Sequence, residues 1–181
     1  MASPTLGTLE TTPLAERPEL LASPVVTASH LVPAAGVAPI DPTLADTAEF
    51  CRAYQVGLDV SANCVIVAGR RGDAVRYAAC VVLATTRADV NTLVRKRLDA
   101  RRASFADQQT ATSATGMEYG GITPIGLPPQ WLLLIDEAVA ATKLVVIGSG
   151  LRRSKIVISG SDLASLPAAE VVHGLGRPLP T

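Results

Sequence analysis

Residues 115–129 read Thr115-Gly116-Met117-Glu118-Tyr119-Gly120-Gly121-Ile122-Thr123-Pro124-Ile125-Gly126-Leu127-Pro128-Pro129. Four glycines and three prolines share this stretch with a single charge, Glu118. A flexible linker is rich in Gly and Ser and poor in bulky residues. Here Gly alternates instead with Ile, Tyr, Met, Leu and Pro. Glycine opens backbone angles that other residues avoid, and proline fixes them. The stretch predicts a rigid, shaped loop whose main-chain N–H groups can face a ligand. The plainer reading is a tight connection between strands.

The flanks predict what holds this loop. Upstream, a strand near Ala103–Phe105 leads into a helix from Asp107 to Thr115, with Gly116 as its C-terminal cap. Downstream, Trp131–Ile135 is a strand ending at Asp136, followed by strands at Leu144–Ile147 and Lys155–Ile158 joined by a turn over 148–154. Further back, Cys64–Ala68 and Tyr77–Ala84 are continuous apolar runs, which predict buried strands around a turn at 69–73. Asp89 can cap a helix through Leu98, with Val90, Leu93, Val94 and Leu98 inward and Arg95 and Lys96 on the other side.

Toward the N-terminus, a short strand near Leu6–Leu9 and one or two helices between Pro13 and Leu31 are expected, then a loop from Pro33 to Pro39. Asp41-Pro42 should open a helix closed by Gly57, with Leu44, Ala48, Cys51 and Gln55 on one face and Phe50 and Tyr54 beside it. Asp162–Leu166 and Val171-Val172 give a last short helix and strand. Hairpin and helical connections alternate, so the fold class is α/β of the mixed α+β kind. One domain is expected, a mixed sheet or partial barrel flanked by helices. Within it, residues 1–39 form an N-terminal arm, 40–172 the core and 173–181 a tail.

Composition narrows the function. At 181 residues, 48% hydrophobic, the chain can fill one core, burying roughly 70% of its unfolded surface. No apolar run approaches the ~20 residues a membrane span needs, and the first residues lack a signal-peptide pattern. A cytoplasmic, membrane-free protein is expected. Cys51, Cys64 and Cys80 show no C-x-x-C spacing and read as reduced structural thiols. His30 and His173 have no ligand-like neighbours, so neither a metal site nor a Ser-His-Asp triad is expected.

Net charge is zero but segregated: residues 1–62 carry −5, residues 63–102 carry +6, and the remainder −1. The basic block, which includes Arg95, Lys96, Arg101 and Arg102, fits a polyanion partner or a solvated helix face.

Three clusters can carry chemistry. Backbone N–H groups around Gly120, Gly121, Ile122, Thr123 and Pro124 can bind a carbonyl, carboxylate or phosphate oxygen. Gly148-Ser149-Gly150 resembles part of a dinucleotide fingerprint, but strands flank it on both sides, which rules out that reading. It remains a turn that can present Arg152 or Arg153 to an anion. Asp136 is either a carboxylate at a pocket edge or a helix cap. Walker A, H-E-x-x-H and G-x-S-x-G motifs are missing from the sequence.

These residues together resemble the YbaK family, also called the prolyl-tRNA-synthetase-associated domain, over roughly Ile40–Val172. The sharpest match is Thr115-Gly116 followed by Gly120-Gly121-Ile122-Thr123-Pro124-Ile125-Gly126. Ser104–Asp107, Ile135-Asp136, Gly148-Ser149-Gly150 and Ser161–Leu163 support it in order and spacing. The resemblance implies a freestanding hydrolase of the ester bond in mischarged aminoacyl-tRNA, without cofactor. It implies the tRNA 3′ end as partner, with a synthetase as a further one, and leaves oligomeric state open. In the family the Gly-x-x-x-Pro loop helps seat the aminoacyl group, and a lysine begins the first central strand. Asn63, or Ala62 with a one-residue slip, stands at that lysine's place here, and no lysine precedes Lys96. The pocket would lie between loop 120–124, Asn63 and turn 148–152, with Arg95, Lys96, Arg101 and Arg102 on tRNA phosphates. The missing lysine also admits a non-catalytic module that binds tRNA, a nucleotide or a synthetase.

Overall fold

In the computed structural model, which describes residues 3–179, β1 (Thr12–Pro13) precedes helix α1 (Ser23–Ala28) in the chain and β2 (Gly36–Pro39) follows it. Helix α2 (Thr47–Ala53) precedes the long hairpin of β3 (Ala62–Arg71) and β4 (Ala74–Leu83). After β5 (Thr86–Ala88) comes a helical segment, π-helical over Val90–Val94 and α-helical over Arg95–Arg97 (α3). Then follow β6 (Arg102–Phe105), α4 (Gln108–Thr115), β7 (Leu132–Asp136) and α5 (Glu137–Ala140). The chain continues through β8 (Val145–Gly148), β9 (Ser154–Ile158), α6 (Gly160–Ala164), β10 (Ala169–Val172) and β11 (Gly176–Pro178).

Two sheets carry the fold. One is antiparallel, in the order β1-β2-β9-β8; the other is mixed, in the order β10-β7-β4-β3-β6. In the mixed sheet β10, β7 and β4 run parallel, while β3 is antiparallel to both β4 and β6. A parallel bridge between Ser61 and Val146 joins the sheets at the start of β3. This is the expected mixed α+β class, and among the described residues no sheet closes into a barrel.

Strand periodicity explains the continuous apolar runs. Alternate residues of a strand face opposite sides. On β4, Ala79 and Val81 pack with Ile147 and Ile156 of the other sheet, while Ala78, Cys80 and Val82 pack with Val90, Val94 and Leu98. A third cluster sets Val146 and Val157 against Phe50 and Cys51. Both faces of the central strands are covered along these runs, so polar residues have no side to occupy there.

Some expected elements differ. Gly36–Pro39, read as loop, is strand β2, paired with β9 from Gly36↔Val157 to Pro39↔Ser154. Its Gly, Ala and Pro carry little strand propensity, and β9 supplies the ladder that sequence cannot signal. The single helix expected from Asp41 to Gly57 breaks in two. Asp41 caps a short 3-10 turn over Pro42–Leu44 through Thr43 N–H at 2.9 Å, and α2 starts afresh after Asp46. Phe50 and Cys51 of α2 are buried and Ala45, ahead of it, is buried too, while Ala48 and Gln55 of the expected face are exposed, because the break resets the helical phase. The strand near Leu6–Leu9 is a single bridge. Residues of the expected arm and tail join the structure: Val25 and Val37 are core, and β11 pairs with β5.

Candidate active site

The bridge between the sheets creates the site. It sets the start of β3, and so Asn63, beside β8, whose last residue is Gly148. Lys155 is the register partner of Gly148 on β9. The glycine-rich loop then locks onto the β8–β9 turn. Gly150 N–H donates to the Gly121 carbonyl at 2.7 Å, Glu118 N–H to the Gly150 carbonyl at 2.8 Å, and Arg152 N–H to the Glu118 carboxylate at 2.6 Å. This backbone-on-backbone approach is what the glycines permit. A Cβ on Gly121 would sit 2.8 Å from the main chain of Leu151, and one on Gly148 would run into the carbonyl oxygens of Gly121 and Ile122.

Between loop, turn and strand lies a cleft of about 380 Å³. Ala62, Ile66, Ala111 and Ile122 make its apolar part. Asn63 contributes an amide whose Oδ1 accepts from the Thr47 hydroxyl at 3.0 Å. Lys155 contributes an ammonium that donates to the Ala45 carbonyl at 3.2 Å and lies 5.2 Å from the centre of the Phe50 ring. Burial, and after it the Arg152 guanidinium, hold the proton affinity of Lys155 below the usual lysine range. Cys64 also lines the cleft, but burial pushes its thiol well up. It stays protonated at neutral pH, and a thiol is a poor nucleophile. The cleft thus offers one cation, the Asp46 carboxylate at its rim, amide and main-chain donors and an apolar wall, without an ionised thiol.

A family profile, the aminoacyl-tRNA editing domain, matches residues 41–166. The chain belongs to the aminoacyl-tRNA editing domain family. Solved structures share the editing domain's fold. The crystal structure of hypothetical protein APE2540 is 24% identical, covering 78% of this chain and 90% of that one, with a TM-score of 0.67. A chain described as a candidate trans-editing enzyme for prolyl tRNA synthetase is 17% identical, covering 91% and 98%, with a TM-score of 0.66. A scaffold from work on epitope backbone grafting is 18% identical, covering 84% and 95%, with a TM-score of 0.70.

In this editing domain, Asn63, Gly120, Ile122 and Gly148 meet in the cleft. The other residues singled out from sequence lie elsewhere. Gly121 is buried against Leu151, and Thr123 is fully buried below the loop. Pro124 faces a separate apolar groove with Leu127 and Trp131. Ser149 is buried, its hydroxyl 2.7 Å from that of Ser154, and Gly150 is packed on Ala22. Arg152 clasps the rim, with Nη1 3.4 Å from Asp46 Oδ1 and 3.3 Å from the Tyr119 carbonyl. Asp136 is outside the cleft lining; it stands at the N-cap position of α5, but its side chain makes no capping bond, and its buried carboxylate instead accepts from Gly176 N–H at 3.0 Å and so pins the C-terminal segment. Arg95, Lys96, Arg101 and Arg102 are outside the cleft lining, and Arg95 Nε is held by the Asn91 carbonyl at 2.8 Å.

Sequence reading missed Lys155, Phe105 and Tyr119. The signal for Lys155 was present: a lone charge opening an otherwise apolar strand. Nothing in the sequence told which way it faced.

Among the described residues, no helix is long and apolar enough to cross a membrane.

Proposed function

We propose that this editing domain hydrolyses the ester bond of mischarged aminoacyl-tRNA in the cleft. The observation that carries the reading is the meeting of Asn63, the glycine-rich loop and the Lys155 ammonium around one apolar-walled cavity. In the proposed reaction, the aminoacyl side chain lies on Ala62, Ile66 and Ile122. With Oδ1 occupied by Thr47, the two amide N–H groups of Asn63 are left to donate to the ester carbonyl. Gly120 N–H and Lys155 Nζ add donors for the oxygen that becomes negative when water attacks. The C–O bond to the terminal ribose then breaks. The ribose oxygen takes a proton, and free amino acid and tRNA leave. Thiol catalysis by Cys64 has no place in this scheme, since its burial disfavours the thiolate.

Arg95, Lys96, Arg101 and Arg102 are proposed contacts to tRNA phosphates, a synthetase is a further proposed partner, and the cytoplasm is the proposed workplace. Phosphate contacts predict binding that weakens steeply with salt. Asn63 in place of the family lysine favours a second reading, a module that binds charged tRNA without hydrolysing it.

The deciding experiment is release of amino acid from a panel of mischarged tRNAs by the wild type, Asn63→Ala and Lys155→Met. Turnover that both variants depress supports the hydrolase. Tight RNA binding without turnover on any member of the panel supports the module.

A further inference from the structure

The chain has six aromatic residues, and four of them pair off. Phe50 stacks on Tyr54 at 5.2 Å and Tyr77 on Trp131 at 5.0 Å between ring centroids. The other two, Phe105 and Tyr119, are 55% and 57% exposed, and both line the cleft. Core packing does not account for either ring. Phe105 also lines a second groove, of about 540 Å³, with Arg87, Asn91, Ser104 and Arg177. It ends β6, the outer strand of the mixed sheet, on which Arg102 and Ser104 are exposed as well. At about 3.3 Å per residue, Arg102 lies only roughly 10 Å from Phe105 along that strand.

We infer that β6 and the groove beyond Phe105 form the track for the single-stranded 3′ end of the RNA, with Phe105 and Tyr119 as stacking platforms at the cleft. Exposed rings beside cations are what a single strand needs: each base has a face to stack, and each linkage an anion to neutralise. In the groove Asp89 is matched by Arg177 at 3.1 Å, which leaves Arg87 as the net charge. The inference rests on the editing reading only in taking the RNA terminus as what enters the cleft.

The test is fluorescence anisotropy with an uncharged RNA minihelix bearing a single-stranded 3′ overhang, and with the same minihelix cut blunt. Phe105→Ala is expected to weaken binding of the overhang form about 5- to 150-fold, the range of one lost stack, and to leave the blunt form unaffected. Phe105→Trp should retain affinity. Arg87→Ala should weaken binding and lower the salt slope by about one. Equal affinity of Phe105→Ala and wild type for the overhang form overturns the track, whatever the hydrolysis assays give. So does a groove that ignores the overhang but binds an acidic peptide. Loss of overhang binding in Phe105→Ala, in a protein that hydrolyses no mischarged tRNA, upholds the track and sinks the editing reading instead.

Discussion

Gly148 and Lys155 are register partners in the β8–β9 hairpin, and both line the cleft. Opposed residues of an antiparallel ladder have Cα atoms about 4.5–5.5 Å apart. The missing side chain of the glycine lets the 120–122 main chain close over the hairpin, with the Gly121 and Ile122 carbonyls in the place a Cβ would take. The cation and the loop that shapes its surroundings are fixed by the same pair of strands.

Replacing Lys155 by Met keeps the stem's packing on Phe50 and removes the ammonium. Hydrolysis of the mischarged substrate should fall about 10- to 100-fold, the equivalent of roughly 1.5–3 kcal/mol for a hydrogen bond from a charged group. Single-turnover rates measure it. A variant as fast as wild type would remove Lys155 from the proposed chemistry.

The same residue predicts a pH dependence. The lowered proton affinity of Lys155 means that its charge is lost, as pH rises, earlier than in an ordinary lysine. Enzymatic hydrolysis, corrected for spontaneous ester breakdown, should therefore show an alkaline limb below the usual lysine range. Arg152→Gln removes a neighbouring positive charge and should move that limb to higher pH. A limb that stays put in Arg152→Gln would mean that another group sets it.

Gly148→Ala should damage fold and site together. The added methyl meets carbonyl oxygens of Gly121 and Ile122, which are backbone atoms and cannot rotate away. A loss of about 1–3 kcal/mol is expected, as for overpacking generally, with reduced hydrolysis even where the protein stays folded. Thermal unfolding and the deacylation assay read the two effects separately.

Asp136→Ala separates pinning from catalysis. It leaves Gly176 N–H without its acceptor, at a cost of about 1–3 kcal/mol. Urea titration should record that loss, while the folded fraction hydrolyses substrate at the wild-type rate. A rate drop in fully folded protein would reinstate Asp136 as a site residue.

The strands were legible in the sequence wherever apolar runs were long, as in Cys64–Ala68 and Tyr77–Ala84, because burial on both faces leaves a continuous signature. The helix capped by Asp107 and closed by left-handed Gly116 was equally plain, since capping is local chemistry. Strand β2 was not, because its ladder comes from β9, more than a hundred residues away. The glycine loop was recognised, but which of its residues face the cleft was not. Gly120 and Ile122 line it, while Thr123 turns inward and Pro124 faces another groove. That choice depends on how the loop docks on Leu151, which no local pattern encodes. Lys155 escaped for a related reason: strand alternation assigns faces only once the neighbouring strand is known.

Strand β2 has a practical consequence for anyone trimming this protein. The family profile spans 41–166, and cutting there would strip β2 from the antiparallel sheet. That side of β9 would then lose its hydrogen-bonded neighbour, with Ile156 and Val157 on the newly open edge. An uncovered apolar strand edge invites pairing with another molecule. The shortest stretch recognised by its relatives is thus a poor choice for expression, and the span to keep begins no later than β1.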